Sequence, residues 1–215
     1  MPGGAPQDDR GSGRDRLVDA AEKLVALKGE AGAANRAIIA EAGQRHNSAI
    51  TYHFGTRRAL LDAVWQVRSA ALDRYRRPMV EELAAPGLEE LVRAYVEPLG
   101  RYLDDTTPSY WARFNEHSLR RYPLQLPGRL REEVADAPPG TGLLTLLDVL
   151  EGLQKLTCGG ADPDAGLRVT QAVRTVVTTF AAWERERDAG TVTMNARDLS
   201  AQLVPGVVGL LSAPR

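Results

Sequence analysis

The chain has 215 residues, 43% hydrophobic, 26% charged and 6% aromatic, with a net charge of −1. That length suits one large domain, or a small one joined to a larger one, with enough chain to bury a real core. The balance excludes a strongly basic nucleic-acid coat, the lone Cys158 excludes an internal disulfide and fits a reducing cytoplasm, and no apolar run of about 18 residues offers a membrane span.

Residues 1–12 are mostly glycine, proline, serine and charge. They lack the apolar stretch of a secretory signal and read as a disordered arm, from which Arg10 and Arg14 could reach a DNA minor groove. Leu17, Ala20, Ala21, Leu24 and Val25 recur at helical spacing, and Lys28-Gly29 stops that helix. Asn35 is read as the cap of a second helix with Ile38, Ile39 and Ala42 turned inward, ending at Gly43. A third covers roughly 47–53. Thr56 caps a fourth, with Leu60, Leu61, Val64, Trp65, Leu72 and Tyr75 on its inner face and Pro78 ending or kinking it.

An apolar stripe from Leu88 through Leu91, Tyr95 and Leu99 to Leu103 predicts a fifth helix, bent at Pro98. Trp111, Phe114 and Ser118 mark the inner face of a sixth, which stops before Pro123. A short helix follows near 129–135, then a loop at 137–140. Leu143, Leu146, Leu147, Leu150 and Leu153 form the next helix, and Cys158-Gly159-Gly160 the next loop. Asp162 and Pro163 start a helix that runs to about Asp188 and stops at Gly190. Asn195, with Asp198 three residues on, opens the last helix, which reaches about Ser212 with a kink at Pro205. The expectation is an all-α chain of nine or ten helices without internal repeats. Its parts are an arm over 1–12, a helix-turn-helix domain over 13–58 and a larger helical domain over 59–215.

A short helix, a glycine turn and a second short helix make a unit that fits a DNA major groove. The first 60 residues carry a small net positive charge and the rest a small negative one, as in a protein that touches phosphate with one end. Arg45, His46, Asn47, Ser48 and Thr51 supply donors and acceptors for base edges on the outer side of the third helix. Ile50 and Phe54 face inward. Asn35 and Arg36 stand where the second helix starts and can grip a flanking phosphate, and Arg57 adds a donor at the start of the fourth.

Leu17 to Leu27, Gly29, Ile39-Ala40, Ala42-Gly43 and the run Tyr52-His53-Phe54-Gly55-Thr56-Arg57 with Leu60-Leu61 resemble the TetR family of bacterial transcriptional regulators. The resemblance covers about residues 14–66 in detail, and beyond them only helix number and length agree. It implies double-stranded operator DNA as partner, with Tyr52 and His53 holding phosphate and Arg57 filling the family's basic position. His53 can equally form a hydrogen bond inside the domain, and Arg58 is read as a solvated helix residue. The chain departs from the family by one extra residue between the turn glycine and the Tyr-His-Phe run. Either the turn is longer or the third helix begins earlier, which shifts the base-reading assignments by one position.

The resemblance also implies that the larger half binds a small-molecule effector and forms a homodimer. Tyr95, Tyr102, Trp111, Phe114, His117 and Tyr122 concentrate aromatic rings in two consecutive helices, which suits either a ligand pocket or the domain core. The pocket set is Tyr95, Tyr102, Trp111, Phe114 and the polar His117. Pro98 frees a carbonyl and opens space nearby. The last two helices are expected to pair with a second copy through Val173, Val177, Phe180, Val207 and Leu211, with Gly206 and Gly209 allowing close approach. Effector binding would change the tilt of the fourth helix and release operator DNA.

An enzyme is the first rival, and its parts are missing. The chain has three histidines, His46, His53 and His117, and no His-Glu-x-x-His, glycine-rich phosphate loop or nucleophile elbow. Asp104-Asp105 reads as a solvated pair rather than a metal site, and Cys158 as a bystander thiol. No cofactor or metal is expected. Two further rivals are a helix-turn-helix that makes protein contacts, and a DNA-binding regulator whose larger half only dimerises.

Overall fold

The three- and four-residue spacing of apolar side chains becomes ten α-helices in the computed structural model, which describes residues 12–121, 124–135, 141–157 and 164–213. Arg10, Tyr122, Cys158, the loop over 137–140 and the start expected at Asp162-Pro163 lie outside the described residues. Two compact units divide between Val64 and Trp65.

In the first unit, α1 spans Gly13–Gly32, α2 Asn35–Glu41 and α3 Ala49–Phe54, and α4, Arg57–Glu81, starts there and continues into the second. A reciprocal cap opens α1: Ser12 Oγ accepts from Asp15 N–H, and the Asp15 carboxylate accepts from Ser12 N–H. Gly29 breaks α1 with a φ of +69°, where a side chain would be strained. Leu17, Val25, Ile38, Ile50, Leu60 and Val64 are buried and form the core, each contributing about 1.5–3 kcal/mol by leaving water. Ala34, not Asn35, precedes the first turn of α2 and no side chain caps it. Thr56 does cap α4, accepting from Ala59 N–H at 3.1 Å.

The second unit adds α5 (Leu88–Asp105), α6 (Trp111–Leu119), α7 (Leu126–Val134), α8 (Leu143–Leu156), α9 (Ala165–Asp188) and α10 (Ala196–Ser212). α9 is its axis, packed against α6, α7, α8 and α10, while α5 lies against α8 and α10. The α5–α10 approach needs a glycine: a Cβ at Gly100 would lie 2.6 Å from the Ala196 carbonyl oxygen. Asp104 at the end of α5 then accepts from the free N–H groups of Ala196 and Arg197 at 2.8 and 3.1 Å, so one helix caps the next. Asp105 takes the Tyr75 hydroxyl and Arg197. Both carboxylates of that pair are therefore engaged by the protein. α4 runs three residues past Pro78, and α5 and α10 continue through Pro98 and Pro205.

A buried ionic cluster ties α6 to α9. Glu184 is fully buried and accepts from Ser109 Oγ, from the N–H groups of Ala112 and Arg113, and from Arg113 Nε. Arg113 also reaches Asp188 at 2.6 Å. Burial pushes the Glu184 carboxyl above its ordinary range, opposed by these donors.

Candidate nucleic-acid interface and internal cavity

Helix α3 begins at Ala49, later than expected, and the chain crosses from Ala42 to Ser48 without helical structure, with Gly43 at a φ of +64°. Arg45, His46, Asn47 and Ser48 therefore stand on the turn ahead of α3, all exposed, rather than on the helix. Thr51 and Tyr52 are exposed on α3 itself, and Tyr52 is 83% exposed, far beyond what a core tyrosine shows. Ile50 is buried as expected. Phe54 is only half-buried, and Arg14 lies over its ring at 5.0 Å, so Arg14 packs within the unit. His53 is half-buried, edge-on to Tyr52 and next to Gly13 at the start of α1.

Two of the expected phosphate contacts have other duties. Arg57 donates to the carbonyls of Ala33 and Glu30 at 2.6 and 2.9 Å and to Asn35 Oδ1 at 2.9 Å. It clasps the last carbonyls of α1 to the start of α2. Asn35 gives that clasp the oxygen a cap would need, which corrects its expected role as the cap of α2. Arg36 is exposed beside it. The exposed polar set is thus Arg36, Arg45, His46, Asn47, Ser48, Thr51 and Tyr52, on one short stretch of the first unit.

The second unit holds a partly open cavity with about 60 Å³ accessible to the centre of a water molecule, room for several waters. Its walls are largely apolar, with Leu72, Leu99, Leu119, Leu150 and Val173 among them. Of the expected pocket residues, Tyr95 and Trp111 line it. Phe114 stands behind, stacked on Trp111 at 5.7 Å, and Trp111 meets Trp65 edge-on at 4.8 Å. Tyr102 and His117 do not line the cavity. Helical phase explains His117: Asn115, one turn after Trp111, shares its face, and His117 two residues later does not.

Sequence reasoning missed the cavity's charged residue. Arg76 is 3% exposed and donates from Nε to the Ala94 carbonyl at 3.2 Å. That carbonyl lies four residues before Pro98, which has no N–H to give it. The proline frees the acceptor and the arginine takes it. A signal was present: Trp65, Ser69, Leu72 and Arg76 follow one another at helical spacing, so a cation sits on an inward stripe. Burial pulls the Arg76 guanidinium below its ordinary value, partly offset by Asp73. Burial pushes the Tyr95 phenol up.

The five expected interface residues need correction. Val173, Val177, Phe180, Val207 and Leu211 are at most 4% exposed in the single chain, so they belong to its own core. An amphipathic helix turns its apolar stripe to the nearest interior, which here is intramolecular. The exposed sides of the same helices carry Gln171, Thr175 and Thr178 on α9, and Ala201, Gln202, Pro205, Gly206 and Gly209 on α10.

Among the described residues no helix is long and apolar enough to cross a membrane, and no group of acidic, histidine or cysteine side chains could hold a metal ion. No family model matches the chain. No curated protein matches it either. Among solved structures it is similar to the fatty acid degradation regulator FadR from Bacillus halodurans, with a TM-score of 0.59 and 18% identity over 91% of this chain and 97% of that one. It is also similar to a bacterial regulatory protein in the tetR family from Rhodococcus RHA1, with a TM-score of 0.51 and 14% identity over 96% of this chain and 100% of that one. Ten helices in this order, without a strand among the described residues, give the chain the fold of the TetR-family regulators.

Proposed function

We propose that the chain is a transcriptional regulator that binds operator DNA as a homodimer and is released from it, as a repressor, by a small molecule held in the second unit. The observation that carries this reading is the exposed polar stretch around α3, with Tyr52 standing 83% free of its own domain. Arg36, Arg45, His46, Asn47, Ser48, Thr51 and Tyr52 are the groups for DNA, the charged ones for phosphate and the polar ones for base edges. Arg57 and Asn35 act indirectly, by holding the corner from which α2 starts. A single short helix reads few bases, so two copies on successive major-groove faces, about 34–36 Å apart, are needed for specificity. The exposed sides of α9 and α10 are the surfaces for that pairing.

The cavity supports the effector part. Trp65, Ser69, Leu72 and Arg76 line it from α4, the helix that begins at Arg57 in the first unit. A ligand that favours one placement of α4 shifts DNA affinity by its differential affinity for the two placements, and by no more.

The test is fluorescence anisotropy with DNA from around the protein's own gene, at two salt concentrations, using wild type, Arg36→Ala and Tyr52→Ala. The expected result is specific binding that weakens with salt, with a slope reduced by about one for each phosphate contact removed. Binding indifferent to salt and to both substitutions would overturn the DNA reading.

A further inference from the structure

Four buried polar atoms on residues that line the cavity have no hydrogen-bond partner in the protein: Trp65 Nε1, Arg76 Nη1, Trp111 Nε1 and Asn115 Oδ1. Protein interiors leave few such atoms, because each loses its water without a replacement. Three are donors, one of them cationic, and one is an acceptor. A guest that satisfies them must be chiefly an acceptor.

Charge narrows the choice. Arg76 is buried, and Asp73, the carboxylate whose charge partly offsets it, gives Oδ2 to Arg77 at 2.5 Å while its Oδ1 is buried without a hydrogen bond, so Asp73 does not bond Arg76 directly. A buried cation with an unpaired Nη1 gains most from an anion, and a guanidinium is shaped to take a carboxylate. Most of the remaining lining is leucine, valine and indole, with the Ser69 hydroxyl and the Tyr95 ring beside them, which calls for a largely apolar body. Along α4, Trp65 and Arg76 are three helical turns apart, roughly 16 Å between Cα atoms, so the polar ends are separated and the guest is elongated.

We propose that the cavity takes a small organic monoanion, a carboxylate on an aromatic or short alkyl body. Its carboxylate meets Arg76 Nη1, and its body lies along Leu72 and Leu99 toward the indoles. A second oxygen at the far end, where the guest has one, accepts from Trp65 or Trp111. Pro98 is the positioning residue: by freeing the Ala94 carbonyl it anchors Arg76 Nε and leaves Nη1 for the guest. This inference rests on the effector reading above.

Two of the three tryptophans line the cavity, so intrinsic fluorescence reports occupancy. The third, Trp183, has its Nε1 bonded to the Met194 carbonyl at 2.9 Å and serves as background. The full chain is titrated with cinnamate, para-coumarate and octanoate, with cinnamamide and octanamide, and with octylamine. The carboxylates are expected to bind, the amides about tenfold more weakly, and the amine weakest. Arg76→Met should lower carboxylate affinity about tenfold to a hundredfold and leave the amides unchanged. Pro98→Ala restores an N–H that competes for the Ala94 carbonyl. It should weaken carboxylate binding while a thermal melt shows equal or greater stability, a split that a purely structural proline would not produce.

Amides or the amine binding as tightly as the acids, or carboxylate affinity unmoved by both substitutions, would overturn the assignment. If such a neutral or cationic probe also shifts DNA affinity, the effector reading stands and only the anion falls. If no probe of any charge enters the cavity, the carboxylate assignment falls and takes its support for the effector with it, while DNA binding is judged by its own assay.

Discussion

Arg113 and Arg76 are buried to similar depth in the same unit, 5% and 3% exposed, and their surroundings differ completely. Arg113 gives Nε to Glu184 and Nη2 to Asp188, and Glu184 is satisfied in turn by a hydroxyl and two backbone N–H groups. Arg76 makes one bond, to a carbonyl freed by Pro98, and leaves Nη1 unpaired at a cavity wall. The first arrangement is closed and holds two helices together. The second is open toward a guest. Burial alone does not distinguish these two arginines, but an unpaired donor on a residue of the cavity wall does.

The largest effect expected is on stability at the closed site. Arg113→Met leaves Glu184 buried without its cation and should cost about 3–5 kcal/mol in urea unfolding, whereas Arg76→Met should cost about 1 kcal/mol or less. Equal losses would erase the contrast. Acidity sharpens it. Glu184 has a raised folded-state pKa, so the stability linked to its titration is fully present below the unfolded value and is lost as pH rises through the folded one. Removing Arg113 raises that pKa further. The Arg113→Met penalty should therefore shrink when unfolding is measured near about pH 5 instead of about pH 8.

Next in size is Arg57, whose three donated bonds hold the end of α1 to the start of α2. Arg57→Ala removes three hydrogen bonds from a half-exposed corner and should cost about 1–2 kcal/mol, without rescue by lysine, which lacks the fork. DNA affinity that falls with no loss of stability would instead make Arg57 a direct phosphate contact. The smallest effect is at Tyr75, whose hydroxyl is bonded to Asp105 and whose pKa is raised by that bond and by burial. A raised phenol contributes stability present below its unfolded value near 10 and lost as pH rises through the folded one. Tyr75→Phe should flatten the alkaline fall in melting temperature. An unchanged alkaline slope would remove that bond from the account.

What could be read from the chain follows physical range. Helices declared themselves because their apolar spacing is local, and so did the caps at Thr56 and Asn195, each bonded three residues ahead. Asn35 looked like a cap of the same kind, but its side chain answers to Arg57, 22 residues away, which no local rule detects. The start of α3 depends on turn geometry that residue types do not fix, and the backbone begins it at Ala49. Val173, Val177, Phe180, Val207 and Leu211 form an apolar stripe visible in the sequence, but the neighbour it packs on is their own domain and not a second copy, since hydrophobicity says inward without saying into what. His117 has the chemistry for a pocket, but the phase of α6 turns Asn115 to the cavity instead. Arg76 needed two facts at once, an inward helical position and a proline four residues past its acceptor on another helix.

The cap that Asp104 places on α10 joins residues 92 positions apart. A nascent chain leaves the ribosome at about 5–20 residues per second, so the end of α5 waits roughly 5–20 s for the helix it must cap. The first unit waits for nothing comparable, since its Arg57 clasp spans at most 27 residues. During that interval the apolar face of α5 has no α10 to cover it, and a chaperone is best placed to shield it there. A pause in translation ahead of residue 196 lengthens that exposure, and aggregation during synthesis should respond to codon speed in that stretch more than anywhere in the first 64 residues.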